Sequence, residues 1–358
     1  MRRPGRIDRT WLYWLARRLY ARRTAQPPGP EGAGKVLVVR VDERVGNLVT
    51  LQSLLDAVRS GLPDTHLGLL ASTRAGQVTA TLAGVDRLHE IDKRWFFRRP
   101  VAWQRTLEGV RAQGYQVAID ASAWREFSTT HAVLTWFSGA PVTVGYDRGF
   151  DPGLHTVRIA PGPPQQHELA QRMRLLAPLG IRGGPPVLRS SLGSGQAARW
   201  AEWLAARPAQ GPRVGIWPGS RKPERRWPVD FYARLGRDLG RASKAQLVIL
   251  WGPGEELLRD ELMRRSDDAV AAPPTSLDEL AGLLRRLDLV VTNDTGPMHL
   301  AVAVGTPTVA LFASGDPRRW GHPYAHVRNL AVPGRDACEV QQALEHCQAL
   351  LSGRRGAH

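Results

Sequence analysis

Between Asn293 and His299 the chain reads Asn-Asp-Thr-Gly-Pro-Met-His, residue types suited to gripping a phosphate. Pro297 fits the first turn of a helix, where a missing N–H costs nothing. The N–H groups of such a helix mouth, aligned with its dipole, attract anions. Asp294, Thr295, Gly296 and His299 crowd that mouth. A second stretch, residues 218–228 (PGSRKPERRWP), carries four basic residues and offers Ser220, Arg225 and Arg226 to phosphate oxygens. Glu255, in Gly252-Pro253-Gly254-Glu255-Glu256, suits ribose hydroxyls. Together these residues read as a nucleotide-diphosphate site built from backbone and arginine. The plainer reading of the first stretch is a structural crossover capped by Thr295 or Gly296. An acid, a hydroxyl and an imidazole converging on one helix mouth favour the binding site. There is no P-loop lysine signature, which argues against ATP or GTP hydrolysis. No Asp-x-Asp pair and no His/Cys cluster occur, so no bound metal is expected. Arginine and the helix dipole would then stabilise a leaving diphosphate.

The elements around these residues follow from the pattern of apolar runs. Leu289, Val290 and Val291 form a β-branched run of the kind buried in a parallel sheet, and residues 308–312 form the next strand. Residues 298–304 supply the helix between them, with Gly305 to cap it and Pro307 to stop it. Ser276 and Glu279 have the spacing of a capping box and open the preceding helix. Residues 212–217 and 246–251 are further strands of this half, and each ends in a polar loop. In the other half, residues 35–41 open the folded part as a strand. Others follow at 66–70, 87–91, 116–120 and 141–144, with helices at 47–59, 75–82, 101–111 and 126–137. Strands alternating with helices predict parallel sheets covered on both faces, with ligand loops at the carboxyl edge. A helix over 165–179 precedes a stretch rich in Gly, Pro and Ser over 180–194, which we read as a domain boundary. The expected organisation is a basic aromatic tail and linker (1–34), a first domain (35–185), a second domain (195–335) and a C-terminal helix and tail (336–358).

Length and charge bound the rest. A chain of 358 residues is long enough for two domains. Its net charge of +16 comes almost wholly from arginine, since only four lysines occur, and favours anionic partners. Cys338 and Cys347, the only cysteines, make no disulfide framework, which suits a reducing compartment. No apolar run reaches membrane-spanning length. Eight arginines and one aspartate fall within the first 26 positions, interleaved with Trp11, Tyr13, Trp14 and Tyr20. Such a segment reads either as a helix lying in a lipid interface or as a basic tail. Residues 93–99 (KRWFFRR) offer the same two readings: a solvated loop, or an anionic or lipid contact through Trp95, Arg98 and Arg99.

The stretches PGSRKPERRWPVDFYARL, TSLDELAGLLRRLDLVVTNDTGPMHLAVAVGTPTVALFA and the opening KVLVVR…VGNLV resemble glycosyltransferase family 9, the ADP-heptose:lipopolysaccharide heptosyltransferases. The likeness runs from about Lys35 to Pro323, and NDTGPMHLA is its most specific block. It implies a GT-B fold, an α/β architecture of two Rossmann-like domains with parallel sheets facing across a cleft. It also implies an inverting, metal-independent transfer from a nucleotide-sugar, ADP-heptose, to a lipid-linked glycan. No cofactor is implied beyond that co-substrate. By the same resemblance Arg225 meets phosphate, Thr295 and Gly296 hold the diphosphate, Asp294 meets the donor sugar or helix mouth, and Glu255 the ribose. The implied setting is peripheral, at the cytoplasmic face of the inner membrane, on an acidic surface. The partners are the nucleotide-sugar and an anionic glycolipid, with no nucleic acid.

Arg225 stands where the family usually has Lys before Arg-Trp-Pro, and a second departure matters more. Family members carry Gly-Asp after the first strand, the Asp being the proposed general base; here the pair is Gly46-Asn47, and the loop is one residue longer. An amide takes no proton usefully at neutral pH. Asp42 and Glu43 in the same loop are the remaining carboxylates, readable as bases or as solvated charges. Two rivals stand beside the transferase reading: a catalytically silent nucleotide-sugar-binding homologue, and a basic nucleic-acid-binding protein. The second rests on charge alone, since the arginines form no known reader module.

Overall fold

The computed structural model describes residues 25–355, apart from 27, 80, 93, 95–97, 126, 149–152, 183–186 and 335. It divides into two compact units. The first holds residues 51–187 with the chain up to Glu43, and the second holds residues 188–358 together with Arg44–Thr50. The expected tail over 1–24 and its aromatic residues lie outside the described residues.

The first unit is built on a six-stranded sheet: β1 (Lys35–Arg40), β2 (His66–Ser72), β3 (Arg87–Ile91), β4 (Val117–Asp120), β5 (Val142–Tyr146) and β6 (Val157–Ile159). Their order is β3-β2-β1-β4-β5-β6, and each pairing is parallel. Central β1 places Val38 between Leu69 and Ile119. Val36, Leu37, Val38 and Val39 are all fully buried, as a strand covered on both faces must be. The expected single helix over 47–59 is two. Val45–Val49 ends at Thr50, and Gln52–Gly61 starts anew. The first piece packs with the second unit, the other with the first sheet.

The helix expected over 165–179 is α-helical only at Glu168–Met173 and continues as a 3-10 turn over Arg174–Leu179. Pro178 has no N–H to continue the α ladder. Part of the expected tail and linker is bonded to the first unit as well. Ala25 N donates to Thr156 O at 3.1 Å, and Gly29 N to Pro178 O at 3.2 Å.

The second unit repeats the plan with β7 (Arg213–Trp217), β8 (Gln246–Ile249), β9 (Val270–Ala271), β10 (Leu289–Asn293), β11 (Thr308–Phe312) and β12 (Val327–Ala331). The order is β12-β11-β10-β7-β8-β9, again parallel throughout. Val291 lies between Ile216 and Val309 at the centre. Helices Val229–Ser243 and Ala337–Arg355 cover the sheet with Tyr232, Leu235, Leu239, Val340, Ala343 and Cys347. In each sheet the strand order reverses once, between β1 and β4 and between β7 and β10. An open parallel sheet holds its ligand at the carboxyl side of that reversal.

Candidate functional site

At the reversal in the second sheet, Asn293 ends β10 with its side chain wholly buried. Its Nδ2 donates to Pro218 O (2.8 Å) and Gly219 O (3.2 Å), and its Oδ1 accepts from Trp227 N (2.9 Å). One amide thus pins both ends of the arginine-rich loop that follows β7. Trp227, 1% exposed, fixes the far end by donating Nε1 to Glu339 Oε2 at 3.0 Å. Arg226 Nε closes the loop on itself through Ser220 O (2.8 Å), while the buried Ser220 accepts from Lys222 N at 3.4 Å.

This frame aims Arg225 at the neighbouring strand end. Arg225 Nη1 lies 2.8 Å from Asp294 Oδ2 and donates to Asp294 O at 3.4 Å. Asp294 is 3% exposed. Burial raises its pKa, while the charges of Arg225, Arg319 and Lys222, in that order, act to lower it. Thr295 is the N-cap of helix Gly296–Ala303, extended in backbone and with no side-chain cap bond. The helix mouth therefore presents backbone groups rather than a capping hydroxyl, the arrangement that suits an anion. Glu255 is half-buried beside this loop and accepts from Gly252 N at 3.0 Å; burial raises its pKa as well.

Two further segments complete the surroundings; the first was not singled out as a site in the sequence, and the second carries Asn47 of the Gly46-Asn47 pair. The connection from β11 to β12 brings His322, whose Nε2 lies 2.8 Å from His299 Nδ1, so one ring donates to the other. Trp320 stands 6.1 Å from the His299 ring. The legible signal was Asp316-Pro317 after a strand: Asp316 caps the short helix Pro317–Trp320 on the edge where ligand loops belong. The second segment is helix Val45–Val49, which belongs with this unit by its contacts. Its Gly46 lies against Gly296, and a Cβ on Gly46 would come 2.7 Å from His299 Cδ2. Asn47 is carried on this helix, half-buried, and its carbonyl accepts from Thr50 Oγ1 at 3.1 Å.

The two loop carboxylates lie in the first unit. Asp42 is ion-paired with Nε of Arg40, itself 1% exposed and donating Nη1 to Ala121 O. Glu43 pairs with Arg74 at 3.0 Å, towards the end of β2. His131 anchors the base of this loop. Val41 N donates to its Nε2 at 3.1 Å, so the ring proton sits on Nδ1 and points to Ser128 Oγ at 2.7 Å. Burial pushes His131 down to about 4 and keeps it neutral. Beside it the buried pair Asp120–His155 spans 3.2 Å. Burial alone would raise Asp120. The His155 hydrogen bond and the charges of His155, His131 and Arg148 instead hold it well below the usual carboxylate range. Arg98 and Arg99 are exposed where helix Pro100–Ala112 begins; Trp95 lies outside the described residues. Among the described residues no three His, Cys, Asp or Glu side chains converge as a metal site would require.

Two Rossmann-like units, each with a parallel sheet reversing once, define a GT-B protein. The family follows from comparison with known proteins. Residues 103–347 match the model of glycosyltransferase family 9 (heptosyltransferase), and the chain belongs to that family. It is 36% identical over 117 residues to lipooligosaccharide heptosyltransferase 2 of Haemophilus influenzae, a match covering 30% of this chain and 33% of the relative. The matches to the first of the curated relatives span about a third of their length. Among solved structures, a family 9 glycosyltransferase from Veillonella parvula superposes with TM-score 0.75 at 20% identity, covering 90% of this chain and 99% of that one. E. coli heptosyltransferase WaaC with ADP gives 0.70 at 20% identity, covering 88% and 99%. At such identities the superpositions establish the fold alone.

Proposed function

We propose that this protein transfers a sugar, a heptose, from a nucleotide-diphosphate sugar to a lipopolysaccharide-type, lipid-linked acceptor. The donor is ADP-heptose and no metal takes part. Family membership supports this reading, and ADP is the nucleotide named for the E. coli WaaC structure. The observation that carries it is the Arg225–Asp294 pair at the mouth of helix Gly296–Ala303, held by Asn293. The diphosphate takes the helix mouth with Arg225, Thr295 and Gly296, Ser220 and Arg226 border it, and Glu255 meets the ribose. His299 flanks the sugar. The acceptor oxygen bonds to the anomeric carbon from the face opposite the diphosphate. The bond from that carbon to the phosphate oxygen breaks, and its electron pair leaves with the diphosphate. The acceptor proton passes to a carboxylate of the first loop, Asp42 or Glu43.

The working place is the acidic cytoplasmic face of the inner membrane, approached through residues 1–24 and through Trp95, Arg98 and Arg99 of the KRWFFRR stretch. Among the described residues no helix is long and apolar enough to cross a membrane.

A second reading, donor binding without transfer, is favoured by Asn47 and by the engagement of Asp42 with Arg40. Thermal unfolding with ADP, GDP, UDP and their sugars, each with and without magnesium, tests the donor site, because a ligand of the native state raises the melting temperature. ADP-heptose should stabilise the protein in either buffer. No response to any nucleotide, or a response only with magnesium, overturns the donor reading. Release of ADP from ADP-heptose in the presence of acceptor separates transfer from silent binding.

A further inference from the structure

Around Asp294 three cations act on one carboxylate. Arg225 touches it at 2.8 Å, and Lys222 of the same loop and Arg319 of the β11–β12 connection also bear on it. Arg319 and its neighbour Arg318 do different things. Arg318 is exposed and pairs with Asp316 at 3.4 Å. Arg319 is half-buried, with its guanidinium 4.8 Å from the centre of the Trp320 ring, and Trp320 stands beside His299 at the helix mouth. The connection is pressed close to the acid. A Cβ on Gly315 would come 2.5 Å from Asp294 Oδ2, so only glycine lets the backbone approach this far. These cations gather at a helix mouth that itself favours anions, the setting a sugar-linked diphosphate needs.

We propose that Arg319 is a further cationic ligand of the donor diphosphate, beside Arg225, and that Asp294 is the counter-charge that keeps these cations together until the diphosphate arrives. This rests on the donor-site reading above and adds a residue from a different loop, so the diphosphate is gripped from β7, β10 and β11 at once. It also gives Asp294 an electrostatic task. A buried carboxylate beside bound phosphates repels them, so the acid trades affinity for order in the empty site.

The test is isothermal titration calorimetry on the full chain with ADP and, separately, with inorganic pyrophosphate. Arg319→Gln should weaken both by about tenfold, the size of one lost charge-assisted hydrogen bond. Arg319→Lys should recover much of that loss, which separates charge from packing against Trp320. Asp294→Asn should leave both ligands bound at least as tightly as in the parent, and tighter at low salt. If Arg319→Gln binds pyrophosphate like the parent, Arg319 is no phosphate ligand and the inference falls while the donor site stands. A loss confined to ADP puts Arg319 on the nucleoside and also overturns it. If Asp294→Asn weakens pyrophosphate, the acid is a prop for Arg225 and the counter-charge role is wrong. A parent protein that binds neither probe removes the donor site itself, and this inference with it.

Discussion

The imidazole of His299 lies so close to Gly46 that a Cβ on Gly46 would come 2.7 Å from its Cδ2. The partner atom is part of a ring fixed by its bond to His322, so it cannot swing aside cheaply. Gly46→Ala should therefore push helix Val45–Val49 off helix Gly296–Ala303, at a cost of about 1–3 kcal/mol for overpacking. Chemical denaturation of the two proteins checks this. An unchanged midpoint would mean that the two helices have slack.

Asn293 should matter more for stability than its size suggests. Asn293→Ala leaves Pro218 O, Gly219 O and Trp227 N without their partner in a buried place. Each buried polar group left unsatisfied costs about 1–3 kcal/mol. We expect a lower melting temperature and, because the arginine loop is freed, weaker ADP binding. Melting curves with and without ADP measure both effects.

Arg225→Gln should weaken ADP without greatly destabilising the empty protein, since the guanidinium remains partly exposed. Its loss also leaves Asp294 buried without its nearest counter-charge. Burial already pushes that carboxyl up, so the variant should take up a proton at Asp294 at a higher pH than the parent. NMR titration of the aspartate carboxyl carbons would show it. A shift towards lower pH would contradict the assignment of the pair.

Acid should loosen the first unit through His131. Its folded pKa, about 4, lies below the usual value of 6.5 because burial disfavours the charged ring; the Asp120 and Asp42 charges oppose that shift, while Arg40 and Arg148 add to it. The unfolded chain therefore binds more protons between these values. The contribution is complete above about pH 6.5, falls as pH drops towards 4 and is flat below. A depression of this size corresponds to about 3 kcal/mol. His131→Gln, whose side-chain oxygen still accepts from Val41 N, should remove most of that slope when unfolding is followed from pH 7 to 4.

Removing residues 1–24 should weaken sedimentation with acidic liposomes, because aromatics and arginines are interleaved there. Arg98→Gln combined with Arg99→Gln, in the full chain, should give a smaller loss. Equal binding by the truncated protein would transfer the contact to the latter pair or elsewhere.

The sequence was most informative where a single strand or cap decides the outcome. The apolar runs of β1, β7 and β10 and the capping box of Ser276 with Glu279 are local patterns, and they stand in the structure as read. The strand–loop–helix unit around Asn293 was legible because turn formers and Pro297 fall between two buried runs. What could not be read depends on partners distant in the chain. The halt of the first helix at Thr50, where Thr50 Oγ1 donates to Gly46 O and Asn47 O, is marked by no proline or glycine between 47 and 59. His322 reaches His299 only because β11 lies beside β10. Edge strands β6, β9 and β12 are short or half-exposed, so they lack the buried run that marks the central ones. The carboxylates of the first loop were visible as charges, but their ties to Arg40 and Arg74 needed the register of β1 against β2 and β4.

The excursion of Arg44–Thr50 also bears on how such chains can be recombined. Cut between Val187 and Leu188, where the chain passes from one unit to the other, and the second half loses the seven residues Arg44–Thr50 that pack on its helix Gly296–Ala303. A chimera joined at that point would set one parent's Gly46-Asn47 against the other parent's His299. Exchange of donor specificity between relatives therefore calls for a double crossover, with the short helix travelling alongside the half it serves.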